Sequence, residues 1–152
     1  MEAFRDFSEF FELLNAHEVR YLIIGDVAYN YHAEPRQTKD IDVWAEPTTE
    51  NVRRLRDAIA ELGYPTDELD DEKLLGPSSI VMLGVPPWRI DVLMRPKGVE
   101  FPACHPRAVA AHYGEVPVRV LGRDDLIAAK QAAGRPQDLV DIANLRAMAG
   151  GT

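Results

Sequence analysis

Cysteine is almost absent: Cys104 is the only one in 152 residues. A single thiol excludes an internal disulfide, so a cross-linked secreted scaffold is out and a reducing compartment is the expectation. Cys104 itself reads as a small, semi-buried hydrophobe rather than a nucleophile. Long apolar runs are missing too, and none approaches the roughly 20 residues that span a bilayer. The acidic, amphipathic start Met1-Glu2-Ala3-Phe4-Arg5-Asp6 has no secretory-signal character, so a cytoplasmic location without a membrane partner is expected. Basic charge is scarce: 17 Lys and Arg stand against 25 Asp and Glu, leaving a net charge of -8 and a pI near 5.0. That balance disfavours a duplex-binding module, which needs a broad basic face. His17, His32, His105, His112 and Cys104 fall at no zinc-ligand spacing. Repeats, low-complexity tracts and linkers are lacking, so one domain over 1–152 is expected, with its core at about 20–121 and a helical pair at about 122–148.

What is present is a succession of apolar patterns. Phe4, Phe7, Phe10, Phe11, Leu13 and Leu14 recur at near-helical spacing and predict an amphipathic helix over 3–17. Tyr21-Leu22-Ile23-Ile24 is a short buried strand ending at Gly25, and a short helix over 27–32 stops before Pro35. A strand over 40–45 ends at Glu46-Pro47. Thr48 then caps a helix whose stripe of Val52, Leu55, Ala58, Ile59 and Leu62 runs to Gly63. The acidic stretch 67–72 reads as a solvated loop or helix tip. Strands over 79–83 and 89–93 precede a second pair over 107–113 and 116–120, turning at Gly114-Glu115. Helices over 122–133 and 136–148 close the chain, with Pro136 at the first position of the second. The order implies an α+β fold, a mixed β-sheet flanked by helices.

Chemistry concentrates in Thr38-Lys39-Asp40-Ile41-Asp42-Val43-Trp44. Residues i and i+2 of a strand share a face, so Asp40 and Asp42 project together and call for a cation between them. Hard divalent ions such as Mg²⁺ suit paired carboxylates, above all when a phosphate completes the shell. Asp91, between Ile90 and Val92, is a third strand carboxylate. Beside the first two it would share their metal or take a proton; alone it would pair with Arg89 or another arginine. Gly25 ends a strand and opens a helix, a geometry that turns backbone N–H groups toward phosphate. Arg36 and Lys39 bracket Thr38 and could reach a polyphosphate, though each alone reads more readily as a solvated surface charge, and His32 reads as a packed helix-end residue more readily than as a ligand contact.

The ordered set Gly25-Asp26-x-Ala28, His32, Arg36-x-Thr38, Asp40-x-Asp42 and Arg89-Ile90-Asp91 resembles the nucleotidyltransferase superfamily with its polymerase-β-like fold. The branch it looks like is the AbiEii/AbiGii-type and related bacterial enzymes, some of them toxins of toxin–antitoxin pairs. The tail from Asp125 through Lys130, Gly134-Arg135-Pro136-Gln137-Asp138 and Asp141-Ile142 is similar to the C-terminal motif of that branch. The resemblance implies metal-dependent transfer of a nucleoside monophosphate from an NTP to an acceptor hydroxyl on an RNA end, a protein or a small molecule. It implies Mg²⁺ or Mn²⁺ on Asp40, Asp42 and Asp91, these three being the catalytic residues, with Asp91 as ligand or base. Gly25, Asp26, Arg36, Thr38 and Lys130 become nucleotide-binding residues, and Asp138 and Asp141 hold the helix pair with Arg135 as partner. A cognate antitoxin or toxin, or a second subunit, is the implied protein partner. One departure stands out: the usual Gly-Gly or Gly-Ser is Gly25-Asp26 here. A carboxylate repels phosphate unless it turns aside, and the expectation is that Asp26 does so as a helix cap. Otherwise nucleotide binding is weakened, and the alternative function is an inactive member of the fold that serves as a binding protein.

Overall fold

The apolar runs of the sequence alternate across one mixed sheet, described by a computed structural model for residues 5–38, 40–77, 79–85 and 88–150. In chain order the elements are α1 (Arg5–Ala16), β1 (Tyr21–Ile24), α2 (Gly25–His32), β2 (Asp40–Ala45), α3 (Thr49–Leu62) and α4 (Asp71–Leu74). There follow β3 (Ile80–Val85), β4 (Trp88–Leu93), α5 (Phe101–Cys104), a 3-10 turn (His105–Arg107), β5 (Val109–Tyr113), β6 (Val116–Val120), α6 (Arg123–Ala133) and α7 (Pro136–Gly150). The strands lie in the order β3-β4-β2-β1-β6-β5. β1 runs antiparallel to β2 and parallel to β6, β2 runs parallel to β4, and the β3–β4 and β5–β6 hairpins close the two edges.

Each strand sends alternate residues to opposite faces. Tyr21, Ile23, Ile41, Val43, Ile90 and Val92, all buried, face α1 and α3. Phe11 stacks on Tyr21 with ring centroids 5.9 Å apart, and Phe7 meets Trp88 edge-on at 6.4 Å. The other face carries Leu22, Ile24, Trp44 and the acids. Phe101 of α5 packs edge-on to Trp44 at 5.3 Å, and the Trp44 indole donates to the Met94 carbonyl at 3.0 Å. α6 packs on α7, and α2 touches both, so the C-terminal pair stands beside the strand ends that carry the acids.

Capping matches the sequence pattern where it was legible. Thr48 accepts from the Asn51 backbone at 3.3 Å, and Gly63 ends α3 in the left-handed region at φ +106°. Pro136 opens α7. The acidic stretch is a turn and a helix tip, leading into the one-turn α4, where Asp70 accepts from the Lys73 backbone at 2.8 Å and Arg56 binds Asp71 at 2.5 Å. Elsewhere the structure departs from expectation. The strand expected from 107 starts at Val109, because Arg107 sits in the 3-10 turn and grips Asp125 through two bonds of 3.0 and 2.7 Å. Cys104 is fully buried rather than semi-buried. Residues 3 and 4 of the expected first helix, and Lys39, lie outside the described residues. Among the described residues no helix is long and apolar enough to cross a membrane.

Asn51, 2% exposed, fastens the entry to β1 and the exit from β2 to α3. Its carbonyl accepts from the Arg20 backbone at 2.7 Å, and its amide donates to the Arg20 and Glu46 carbonyls at 3.0 Å each. Both carbonyls also accept from backbone amides, those of Glu46 and Thr48, so removing the side chain orphans the Arg20 N–H, at a cost of about 1–3 kcal/mol. Asn51→Ala is therefore expected to lower stability by about 2 kcal/mol. Urea denaturation checks this through a lower midpoint at an unchanged slope.

Candidate active site

Period-two alternation puts Asp40, Asp42 and Trp44 on one face of β2. The parallel register then sets Asp42 opposite Asp91 and Asp40 opposite Arg89. Adjacent strands lie about 4.8 Å apart, so Asp42 and Asp91 stand side by side. On the other flank Ile24 pairs with Asp42, and the chain turns at once from β1 into α2 at Gly25. That turn requires glycine twice over. Its φ is +68°, and a Cβ there would overlap the Asp42 carboxylate and lie 2.9 Å from the Asp42 Cβ.

Burial pushes the Asp42 carboxyl up to about 6, and the charges of Asp91, Asp26 and Asp40 push the same way, with Arg89 opposing. Asp91 faces Arg89, whose Nη2 donates to Oδ2 at 3.1 Å. Arg89 Nε lies 2.9 Å from Asp91 Oδ1 but out of line for a hydrogen bond, and both atoms are buried without a hydrogen-bond partner. Asp91 thus pairs with Arg89 and lies in register with Asp42. Asp40 is exposed at the mouth. Among the described residues no group of three His, Cys, Asp or Glu is placed to enclose a metal ion. Asp91 leans on Arg89, so the three-carboxylate cluster expected of Asp40, Asp42 and Asp91 is not formed by their side chains as they stand.

The cations expected to meet a nucleotide are engaged within the protein. Arg36 donates to Asp141 at 2.7 and 3.0 Å and to Asp26 at 2.5 Å, and lies 4.0 Å over the Tyr29 ring. Lys130, buried on α6, reaches Asp141 at 2.8 Å and Asp138 at 3.6 Å. Arg135 holds Asp138 at 2.8 Å. Burial alone would raise the Asp141 carboxyl, but hydrogen bonds from Arg36, Lys130 and Gln137 hold it well below the usual carboxylate range. The Arg135 hydrogen bond keeps Asp138 low in the same way. Asp26 is not a cap: α2 starts at Gly25 with Ile24 before it and has no side-chain cap, and the Asp26 carboxylate turns to Arg36 instead. Thr38 bonds the backbone of Asp40, donating to its carbonyl at 3.0 Å, and lines a separate cavity on the α1 and α2 side. His32 is half-buried and donates to the Leu121 carbonyl at 2.7 Å, and burial lowers its pKa.

Two cavities meet over Gly25, Asp42, Lys130, Arg135 and Asp138. One, of about 480 Å³, is polar and adds Asp26, Arg36, Gln137 and Asp141. The other, of about 470 Å³, adds Asp40, Arg89, Asp91 and an apolar wall. Sequence reasoning missed Tyr29 and the reach of Asp141 to Arg36. Asp138, Asp141, Ile142 and Leu145 fall at i, i+3, i+4 and i+7, the signal that α7 turns both carboxylates inward.

Solved structures of similar shape exist. The lincomycin-bound lincosamide antibiotic adenylyltransferase LnuA matches with a TM-score of 0.58 at 12% identity, over 96% of this chain and 98% of its own. ANT(2")-Ia in complex with adenylyl-2"-tobramycin matches with a TM-score of 0.50 at 13% identity, over 93% and 95%. An antigenic nucleotidyltransferase-like protein from Paracoccidioides brasiliensis matches with a TM-score of 0.54 at 12% identity, over 93% and 72%. No protein-family profile and no curated protein sequence matches the chain. The likeness shows the nucleotidyltransferase fold, as the sequence resemblance implied, and does not single out the toxin-type branch.

Gly25→Ala is expected to lower stability by at least ~2 kcal/mol, from a strained φ plus the overlap with Asp42. In an Asp42→Ala background the overlap with the carboxylate is gone and only the Cβ contact at 2.9 Å remains, so a double-mutant cycle should return a coupling of about 1 kcal/mol. The raised Asp42 carboxyl makes a second prediction. A folded-state value near 6 against the ordinary 3.8 means that the fold carries no penalty below about pH 4 and is destabilised as the pH rises through 6. Asp42→Asn should therefore match the wild type below pH ~4 and exceed it at pH 8 by about 2–3 kcal/mol, read from denaturation curves across pH.

Proposed function

We propose that this protein transfers a nucleoside monophosphate from an NTP to an acceptor hydroxyl and releases pyrophosphate. The observation that carries the reading is the register of Asp42 and Asp91 against a glycine turn that opens a helix. The fold, shared with the two antibiotic-modifying enzymes above, supports it at the level of architecture.

The residues suit a hard divalent cation. Asp42 carries a destabilised charge with no cation bonded to it among the described residues, and Asp91 keeps a buried oxygen without a hydrogen bond. Asp42 and Asp91 would hold Mg²⁺ or Mn²⁺, with Asp40 completing the mouth. Such an ion, when bound, supplies charge neutralisation for the triphosphate and for the attacking oxygen. The chain does the rest. The first amides of α2 would receive phosphate, since the helix end favours negative charge. Asp138 and Asp141 keep Lys130, Arg135 and Arg36 on the rim of the polar cavity, from which they turn to the β- and γ-phosphates. The acceptor oxygen attacks the α-phosphorus, the bond from that phosphorus to the bridging oxygen breaks, and pyrophosphate leaves with both electrons. Asp91 takes the proton of the hydroxyl.

A second reading has its own observation. Asp26, Arg36, Asp141 and Lys130 close into one network, so the cations that would greet a triphosphate are already paired. An inactive binding protein of this fold would look the same. A toxin–antitoxin role, with a cognate partner or a second subunit, is supported by the sequence resemblance alone.

Incubation with each α-labelled NTP, Mg²⁺ and pooled small-molecule, RNA and protein acceptors separates the readings. Label on an acceptor is expected, reduced by about 10³-fold or more in Asp42→Ala and abolished by a chelator. Calorimetry that finds neither Mg²⁺ nor ATP bound would establish the inactive reading instead.

A further inference from the structure

The apolar cavity beside the acids has a character of its own. Trp44, Leu93, Val99 and Leu126 line it, and β3 adds Ile80 and Met82 at the rim. The β3–β4 register sets Met82 opposite Asp91 and Ile80 opposite Leu93, so both β3 side chains share the face that carries the acids. They are 62% and 51% exposed, an apolar edge held open in water next to the carboxylates. The polar cavity on the far side of Gly25 is lined by Asp26, Arg36, Arg135, Gln137 and Asp141 and contains none of these apolar residues. The two halves of the cleft thus differ in chemistry: one suits phosphate, the other an apolar body.

We infer that the acceptor is a small molecule with an apolar body, a hydroxyl at one end and no anionic group, seated in this apolar cavity with its hydroxyl toward Asp91. The inference rests on the nucleotidyl-transfer reading and names its second substrate. A volume of about 470 Å³ lies in the range of small-ligand sites. Charge argues against a polyanion. Arg89, Lys130 and Arg135 on the cleft wall each face a carboxylate, and Lys97 is the lining cation without one among the described residues. An RNA end would bring a phosphate for every nucleotide into a cleft edged by Asp40, Asp42 and Asp91, on a chain of net charge -8.

The test uses the full chain, amide-resolved NMR, and three probes: 2-(2-naphthyl)ethanol, its anionic counterpart 2-naphthylacetate, and a single-stranded RNA dodecamer. Mg²⁺ with α,β-methylene-ATP is titrated separately. The alcohol is expected to shift the amides of Met82, Leu93 and Leu126, the anion and the RNA are expected to leave them in place, and Met82→Glu should weaken alcohol binding at least tenfold. Because Met82 is exposed, that variant keeps its fold, which its melting temperature checks. If the wild type binds Mg²⁺ and the ATP analogue but not the alcohol, the acceptor inference fails and the nucleotidyl reading stands. Loss of ATP-analogue affinity in Met82→Glu would assign the cavity to the nucleobase and overturn the inference. Shifts of the same amides by the RNA would overturn it as well. Failure of the wild type to bind the ATP analogue would overturn the nucleotidyl reading, and the acceptor role with it.

Discussion

Two aspartates on neighbouring strands face the same way in a half-buried cleft, and the rest of this molecule is arranged around that uncompensated charge. Burial and three neighbouring carboxylates raise Asp42, while Arg89 relieves Asp91 in part. A fold carrying such a cost gains from a cation, which is how paired carboxylates become metal sites. Gly25 is tied to the same point, since any side chain there would occupy the space of the Asp42 carboxylate. One sheet register thus sets the acids, the turn and the start of α2 together.

The second level of organisation is the ion network on α7. Asp141 joins Arg36 and Lys130 although they lie 105 and 11 residues away in sequence, and Tyr29 lies beneath both cations. The network binds the C-terminal helix pair to the loop that leads into β2. It also keeps cations at the edge of the polar cavity while their charge is balanced. A triphosphate bound there, as proposed, would compete with the Asp138 and Asp141 carboxylates for those same cations. Asp26 joins the same network through Arg36, which gives the unusual acid after Gly25 a structural partner.

Much of this was legible from residue order. Asp40-x-Asp42 on an apolar strand announces a shared face, and Gly25 after Tyr21-Leu22-Ile23-Ile24 announces a strand-to-helix turn. Asp91 between Ile90 and Val92 announces a strand carboxylate in need of a partner, and Arg89 is one. The pairing of β2 with β4 was not legible, because strand order depends on packing among segments some fifty residues apart. Nor was the destination of Asp26: a side chain next to a helix start can cap or can find a long-range partner, and only the position of Arg36 decides. The 3-10 turn at Arg107 escaped for a related reason, since it is held by side-chain bonds to Asp125 that periodicity does not register.

The central claim is that the Asp42 carboxylate, raised by burial and by its acidic neighbours, belongs to a divalent-cation site. Carbon-detected NMR of the aspartate carboxyls across pH, with and without Mg²⁺, reads it directly. The expected result is a carboxyl titrating near 6 without the ion and falling by about one unit or more when Mg²⁺ is added. An Asp42 that titrates like a free aspartate, or stays near 6 at saturating Mg²⁺, would contradict it.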